Sequence, residues 1–490
     1  MARWQNWSGS VKAQPARVAQ PRTEAELASL IRAADKVRVV GAGHSFMPLC
    51  ETDGLLLSLS ELEGAIEISA DRSRVWAPAG WSLAKLTAAL WEEGLSLINQ
   101  GDVNPQALAG AIGTGTHGTG AKLGSLSTAA RGFRLIQADG GAITCSADEN
   151  GDLFQAARLS LGLVGVATRI EIDMLPAYYL EERIESHPLE DIAERWDELV
   201  ANNRHVEFFV FPYGDQAILK TLNPAPGEGP LKQLNDMDDR AFAMVCDLCA
   251  ALPFLTRRLQ PLIVKPGIRQ RRVGPAYQIF PSERSVRFEE MEYEIPVAQG
   301  WQALREAIAY IRARKLPITF PFEFRAIAAD DIWLSPFHGG PCVSISAHQY
   351  AKMPWRTFFA GIEPIFRAHG GRPPGAQHHP FARAEGDAPF PAAARTPALR
   401  AAPQRASRCA LCRLLMSDIE LHRPLINQQG SRAGLNTPAL VIDRDALERN
   451  IAAMAAFART SKLALRPHAK THKSAHIAKL QLAAGAVRVC

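Results

Sequence analysis

Apolar and polar positions alternate in short blocks from the beginning of the chain. Arg17-Val18-Ala19-Gln20 reads as a strand that ends at Pro21, and Thr23 followed by Glu26 has capping-box spacing, which predicts a helix over 24–34. Val37 to Val40 is a further strand, broken by Gly41-Ala42-Gly43. Leu55 to Leu59 and Val75 to Ala77 continue the strand pattern, and Trp81 to Glu93 has helical periodicity. Residues 101–128 are dense in Gly, Thr and Ser, too irregular for one element and too apolar for a linker. Ala130 to Ile143 and Val164 to Met174 return to strand patterns. Helices and strands alternating through glycine-dependent loops predict an α+β domain over residues 1–177.

From Tyr178 the pattern changes. Val206 to Phe211, Arg287 to Ile295, Ile318 to Ile327 and Cys342 to Tyr350 read as strands, and Trp301 to Arg314 as a helix. This predicts a second α+β domain over 178–371, with a loop-rich insert around 225–285. Residues 372–408 differ again, with 11 Ala, 7 Pro and 6 Arg but no Val or Ile. Such a stretch cannot bury enough apolar surface to offset its ordering entropy, so 372–415 is expected to be disordered. From Met416 the pattern becomes globular. Thr437 to Asp443, Lys462 to Arg466 and the chain from Val487 read as strands, with helices over 445–459 and 474–484, an incomplete β/α piece spanning 416–490.

Composition narrows the class. With 47% hydrophobic and 21% charged residues among 490, a wholly disordered chain is excluded. No run of 18 apolar residues predicts a transmembrane helix, and the start lacks the apolar core of a signal peptide. Eight cysteines are sparse, as in a reducing cytoplasm. The net charge of +5 is unevenly spread. Arg372 to Cys490 holds 18 basic and 7 acidic residues, leaving 37 basic and 43 acidic in the first 371. The main body is therefore mildly acidic, which argues against nucleic-acid binding.

Two glycine loops carry the first chemical signal. Gly41-Ala42-Gly43-His44-Ser45 follows a strand, and glycine lets backbone N–H groups approach a phosphate closely. A Rossmann fingerprint would need glycine at 46, where Phe stands. Gly113-Thr-Gly115-Thr-His-Gly118 matches G-x-G-x-x-G literally, but no helix pattern follows. Two such loops about 70 residues apart, each with a histidine, suit a large dinucleotide whose diphosphate lies between them; two tight turns in an ordinary sheet are the alternative. Cys246-x-x-Cys249, in an apolar run that reads as a helix, and Cys409-x-x-Cys412 are too far apart for a zinc ribbon, and no metal site is expected.

Val40-Gly-Ala-Gly-His-Ser-Phe46, Pro105 to Gly120 and Leu161-Gly-Leu-Val-Gly-Val-Ala-Thr-Arg169 together resemble the FAD-binding domain of the vanillyl-alcohol-oxidase type. The opening Trp4-Gln-Asn-Trp7-Ser-Gly-Ser and the second domain narrow the resemblance to the sugar-1,4-lactone and alditol oxidases, over about 1–371. It implies a two-domain fold with FAD held by Gly41, Ala42, Gly43, His44, Ser45, Gly110, Gly113, Thr114, Thr116, His117, Gly118, Gly165 and Val166. It also implies that His44 carries the flavin covalently at the 8α-methyl; a histidine that only hydrogen-bonds the flavin or its loop is the alternative. His117 is expected chiefly to hold its loop in shape. The implied activity is hydride transfer from a CH–OH group of a lactone such as D-arabinono- or L-gulono-1,4-lactone, or of a polyol, with oxygen or another acceptor as oxidant. Peripheral membrane association is compatible with this class.

Phe320-Pro-Phe322-Glu323-Phe324-Arg325 alternates strictly, which predicts the three phenylalanines on one face and Glu323 and Arg325 on the other. Taken alone the charged pair reads first as a solvated strand face. The resemblance implies that both bind substrate. His348 is a pocket candidate with a structural role as its alternative. After Gly370-Gly371-Arg372-Pro373 the family continues with His, Trp, Gly and an active-site Lys, whereas this chain reads Pro374-Gly-Ala-Gln-His-His-Pro. A frameshift near 373 would account for the Ala/Pro/Arg-rich stretch, a genuine linker being the alternative, and the loss of that segment leaves a catalytically dead flavin-binding module as a third functional reading. Residues 416–490 resemble the N-terminus of pyridoxal-phosphate barrel proteins of the D-threonine aldolase type, with Lys470 at the Schiff-base position. Too little barrel is present to close, so stable pyridoxal phosphate binding is not expected.

Overall fold

The computed structural model describes residues 3–227, 236–282, 285–375, 444–467 and 475–487. The described residues up to 375 belong to one compact unit and those from 444 to another.

The opening pattern folds largely as its periodicity dictates. Strand Arg17–Ala19, helix Glu24–Ala33 and strands Val37–Val40 and Leu55–Ser58 build a parallel three-stranded sheet, with Leu55–Ser58 in the middle. The Thr23 hydroxyl accepts the Glu26 N–H at 3.2 Å, while the Glu26 carboxylate accepts the Arg22 N–H at 2.9 Å, so the helix start is closed from both sides. Leu27, Leu30 and Ile31 on one helix face pack on Leu55 and Leu57. An antiparallel sheet follows, in the spatial order Ala142–Ser146, Ala130–Ile136, Val166–Pro176, Arg74–Pro78 and Glu67–Ile68, with Leu95–Leu97 pairing the far end of Val166–Pro176. Helix Leu83–Glu92 buries Leu83, Leu86 and Leu90 against it.

The second sheet has seven antiparallel strands, ordered Arg269–Pro275, Tyr179–Pro188, Gln216–Ala225, His205–Val210, Phe322–Ile327, Cys342–Tyr350 and Phe288–Pro296. One face is apolar. Phe208, Phe322, Phe324, Tyr293, Val343 and Ile345 pack there against helices Val297–Arg314 and Trp355–Ala368. Gly300 of the first helix lets it sit directly on the sheet, since a Cβ there would stand 2.1 Å from Val343 Cγ2.

Several expectations are corrected. The stretch 101–128 contains helix Leu108–Thr114 and a short 3₁₀ turn, Leu126–Ala129. Small residues there (Ala107, Ala109, Gly110, Ala111) blur the periodicity on which a helix assignment depends. Ala130 to Ile143 is a hairpin rather than one strand, turning at Asp139-Gly140. The insert around 225–285 is largely helical rather than loop-rich: the run around Cys246 forms helix Asp236–Ala251 as expected, and Thr256–Ile263 is a further helix, followed by strand Arg269–Pro275. Cys246 and Cys249 are free buried thiols on the first of these helices. The strand expected from Ile318 begins only at Phe322, because Pro321 has no N–H for the ladder. Phe320 therefore leaves the face of Phe322 and Phe324 and packs with Phe46, Phe288 and Tyr350.

In the tail, helices Arg444–Thr460 and Ala475–Ala483 form as expected. Lys462 to Arg466 is not a strand; a single Val487 N–H donates to the Leu465 carbonyl at 3.0 Å. The Thr437–Asp443 strand, Lys470, Cys409, Cys412 and all of the stretch expected to be disordered beyond Gly375 lie outside the described residues.

Phe324 is fully buried, its ring 4.9 Å from Phe208, 5.0 Å from Trp301 and 5.2 Å from Trp196. Phe324→Ala should lower unfolding free energy by about 3–5 kcal/mol in denaturant titration, the cost of emptying an aromatic core site.

Candidate active site

A cavity of about 850 Å³ lies between the glycine loops and the second sheet. That is within the range of pockets that enclose small-molecule ligands and cofactors. Gly41, Ala42, Gly43, His44, Ser45, Gly110, Gly113, Thr114, Thr116, His117, Gly165 and Val166 all line it. Gly118 does not: a Cβ there would stand 2.4 Å from the Gln100 carbonyl, so its place is one of tight backbone packing.

Three loops distant in sequence meet here through backbone contacts. The Trp7 N–H donates to the Gly43 carbonyl at 2.8 Å, and Asn6 Nδ2 donates to the Ser45 carbonyl at 3.1 Å. The opening segment thus clamps the first glycine loop, whose turn needs φ of +71° at Gly43. The Leu161 N–H donates to the Gly113 carbonyl at 3.0 Å, tying the third loop to the second. Gly110 and Gly113 have open space where a Cβ would stand. These unfilled positions form a cradle in which backbone can approach a dinucleotide. The residues present therefore fit FAD.

His44 stacks on Trp7 with ring centres 5.4 Å apart and planes at 23°. Its burial lowers its pKa, which keeps the imidazole neutral at physiological pH.

The opposite wall is the polar face of the second sheet. Glu294, Ser344, Arg325, Glu207 and Lys220 stand directly opposite one another across five adjacent strands. The next row holds Glu292, Ser346 and Glu323, and a third pairs Glu290 with His348. Side chains opposite each other share a face, so alternation within each strand brings these charges together. Arg325 Nη2 donates to Glu292 Oε1 and, at 3.0 Å, to Ser346 Oγ; Glu323 Oε1 lies 3.7 Å from Arg325 Nε. Lys220 Nζ is 2.9 Å from Glu207 Oε1. His348 Nε2 is 3.5 Å from Glu290 Oε1, and both residues line the cavity with Glu292, Glu323 and Arg325. Arg325 Nε is a buried donor with no hydrogen-bond partner among the described residues.

His117 joins the two walls. Its Nδ1 lies 2.9 Å from the Gly118 carbonyl, and its Nε2 lies 3.4 Å from Glu292 Oε2 and 3.5 Å from Glu294 Oε1. Burial alone would strip its proton, but the Glu292 carboxylate carries its pKa up to about 10. Burial and the Glu292 charge push Glu294 up to about 7. Ligand atoms of His117, Glu292 and Glu294 lie within 4.8 Å of one another, a spacing that a metal could use; the cation already in contact with Glu292 is the Arg325 guanidinium. Farther along the loop, the Thr119 hydroxyl donates to the Val206 carbonyl at 2.5 Å and the Gly120 N–H to Ala326 at 2.7 Å. The loop is thereby docked on the end of the strand that carries Glu323 and Arg325.

Sequence reasoning singled out Glu323, Arg325 and His348 on this wall but missed Glu290, Glu292 and Glu294. The signal was present: three glutamates at alternate positions in one strand, opposite apolar Met291, Tyr293 and Ile295. Pro374, where the chain leaves the family's pattern, also lines the cavity.

A family described as D-arabinono-1,4-lactone oxidase matches residues 170–402, and one described as FAD binding domain matches 15–146. Neither extends into 416–490, where the pyridoxal-phosphate resemblance has no support. An L-gulono-1,4-lactone dehydrogenase of Mycobacterium tuberculosis is 36% identical over 386 residues, covering 77% of this chain and 90% of the relative. An L-gulonolactone oxidase of Mus musculus is 28% identical, covering 79% and 92%. Among solved structures, a solvent-stable cholesterol oxidase superposes with a TM-score of 0.68 at 17% identity, covering 86% of this chain and 97% of that one. This likeness concerns the fold. Among the described residues no helix is long and apolar enough to cross a membrane.

The folded protein binds the His117 proton more tightly than the unfolded chain does, so its contribution to stability is complete below about pH 6.5 and lost as pH rises through about 10. The difference in melting temperature between wild type and His117→Gln should therefore shrink steadily across that interval in calorimetry. A pH-independent difference would contradict the buried imidazolium.

Proposed function

The chain belongs to the family of FAD-dependent sugar-1,4-lactone oxidases and dehydrogenases, and from that premise we propose that Glu323 and Arg325 bind and orient the CH–OH group that is oxidised. The carrying observation is that both side chains, fixed on a buried strand, line the same cavity as the glycine loops. Bound FAD supplies the two-electron acceptor for the hydride leaving the substrate carbon. Glu323 accepts a hydrogen bond from a substrate hydroxyl. The Arg325 guanidinium stabilises negative charge on the reacting oxygen.

In this reading the backbone of residues 41–45 and 110–116 would cradle the dinucleotide, and His44 would carry the flavin through its 8α-methyl carbon, a methyl C–H and the imidazole N–H giving way to one C–N bond as two protons leave and two electrons pass through the flavin to oxygen or another acceptor. A neutral buried imidazole is the form able to attack that carbon, which supports the link. Sugar 1,4-lactones are the proposed substrates, L-gulono- and D-arabinono-1,4-lactone first among them, with polyols as the competing class. Oxygen or another acceptor then takes the electrons. Free cysteines within the described residues fit a reducing cytoplasm.

Purified protein should be yellow and should keep its flavin through acid precipitation, whereas His44→Ala should release it or fail to incorporate it. Flavin that dissociates from wild type in acid removes the covalent link alone; a colourless protein from flavin-replete cells removes the cofactor itself.

Glu323→Gln and Arg325→Ala should each slow lactone turnover by on the order of 10²-fold or more, with flavin content unchanged. Steady-state assays with L-gulono-1,4-lactone, D-arabinono-1,4-lactone and xylitol, each with oxygen and with a dye acceptor, measure this and rank the substrates. Near-native rates in both variants would return the pair to a structural role.

A further inference from the structure

Resting on the reading above, we propose that Glu292 is a positioning residue, which holds the Arg325 guanidinium in its working place and, through His117, locks the cofactor loop to the substrate-binding strand. The carboxylate is fully buried and both of its oxygens are engaged. Oε1 accepts from Arg325 Nη2, from Ser344 Oγ and, at 2.7 Å, from Ser346 Oγ. Oε2 faces His117 Nε2 at 3.4 Å. One side chain on the edge strand Phe288–Pro296 thus grips both Arg325 of the same sheet and His117 of the glycine loop.

The charges around it agree with this role. Burial would raise the Glu292 carboxyl, but Arg325 and His117 beside it hold it well below the ordinary carboxylate range. Removing that charge leaves two buried cations without their shared counterion. Arg325 would then have Glu323, at 3.7 Å from Nε, as its nearest carboxylate. Glu323 sits two residues away on the same strand and would draw the guanidinium along the strand, off the place where it meets substrate. His117 would keep only Glu294, a carboxyl that burial pushes up from its ordinary value.

The test uses the full-length holoprotein and compares Glu292→Gln, Arg325→Ala and the double variant, with crystal structures of wild type and Glu292→Gln. Glu292→Gln should retain its flavin and lose on the order of 10- to 10²-fold in kcat with L-gulono-1,4-lactone, the scale of a misplaced catalytic contact. The double variant should be no slower than Arg325→Ala, since a residue acting through Arg325 has nothing left to position. In the Glu292→Gln crystal, Arg325 should have left its place on the cavity wall. Multiplicative losses in the double variant, or an unmoved Arg325, overturn the proposal. If Glu292→Gln does not fold, Glu292→Asp, which withdraws the carboxylate by one methylene, is judged by the same two outcomes. Wild type that oxidises neither lactones nor polyols would sink the functional reading instead, and the position of Arg325 in the variant would still decide this one.

Discussion

Ionised groups can stand inside a protein only when each is paired and hydrogen-bonded, because the effective cost of burying an ion is several kcal/mol. That constraint governs the centre of this molecule. Glu207, Glu292, Glu323, Arg325, Lys220 and His117 all lie where water scarcely reaches. Their mutual contacts leave little freedom in the sheet that presents them. A slip of one residue in any of its central strands would turn a charge into the aromatic core and an aromatic ring into the charged face. The buried charges and the phenylalanine stack therefore enforce the same register from opposite sides.

This two-faced sheet explains how a domain built for packing also carries chemistry. Phe208, Phe324, Trp196 and Trp301 anchor one side against helices. On the other side, Glu323 and Arg325 are held on a strand with neighbours on both edges, far stiffer than a loop. Preorganised charge is effective because it need not reorient during reaction. The cavity's other wall is made of loops, as a ligand reached by backbone N–H groups requires, and those loops are themselves pinned. Trp7 and Asn6 hold the first, Leu161 joins the third to the second, and Thr119 and Gly120 fasten the second to the sheet.

His117 shows how such a device can pass for a local one. From the chain alone it belongs to a glycine-rich loop and serves that loop, and its contact with the Gly118 carbonyl fits that view. Its other ring nitrogen reaches two glutamates 175 and 177 positions away. The loop's shape and the place of Arg325 thus depend on one buried cluster of charge.

Local pattern determined much of this protein. The capping box at Thr23, the strand ends at proline and glycine, the mixture of helices and strands and the paired glycine loops were all legible, because each depends on residues close in sequence. So was the opposition of Glu323 and Arg325 to the phenylalanines, since a strand's period of two needs no partner. Of the insert after Ala225, the apolar run around Cys246 read as helix, whereas Thr256–Ile263 was not legible, because mixed turn residues and weak periodicity there conceal an element stabilised by packing. Phe320 was misplaced because one proline ends the ladder before it. The alternation of Glu290, Glu292 and Glu294 was visible, yet nothing local says whether such glutamates meet water or each other. Only the tertiary structure brought them opposite Arg325 and His117, since register among distant strands is set by the sheet as a whole.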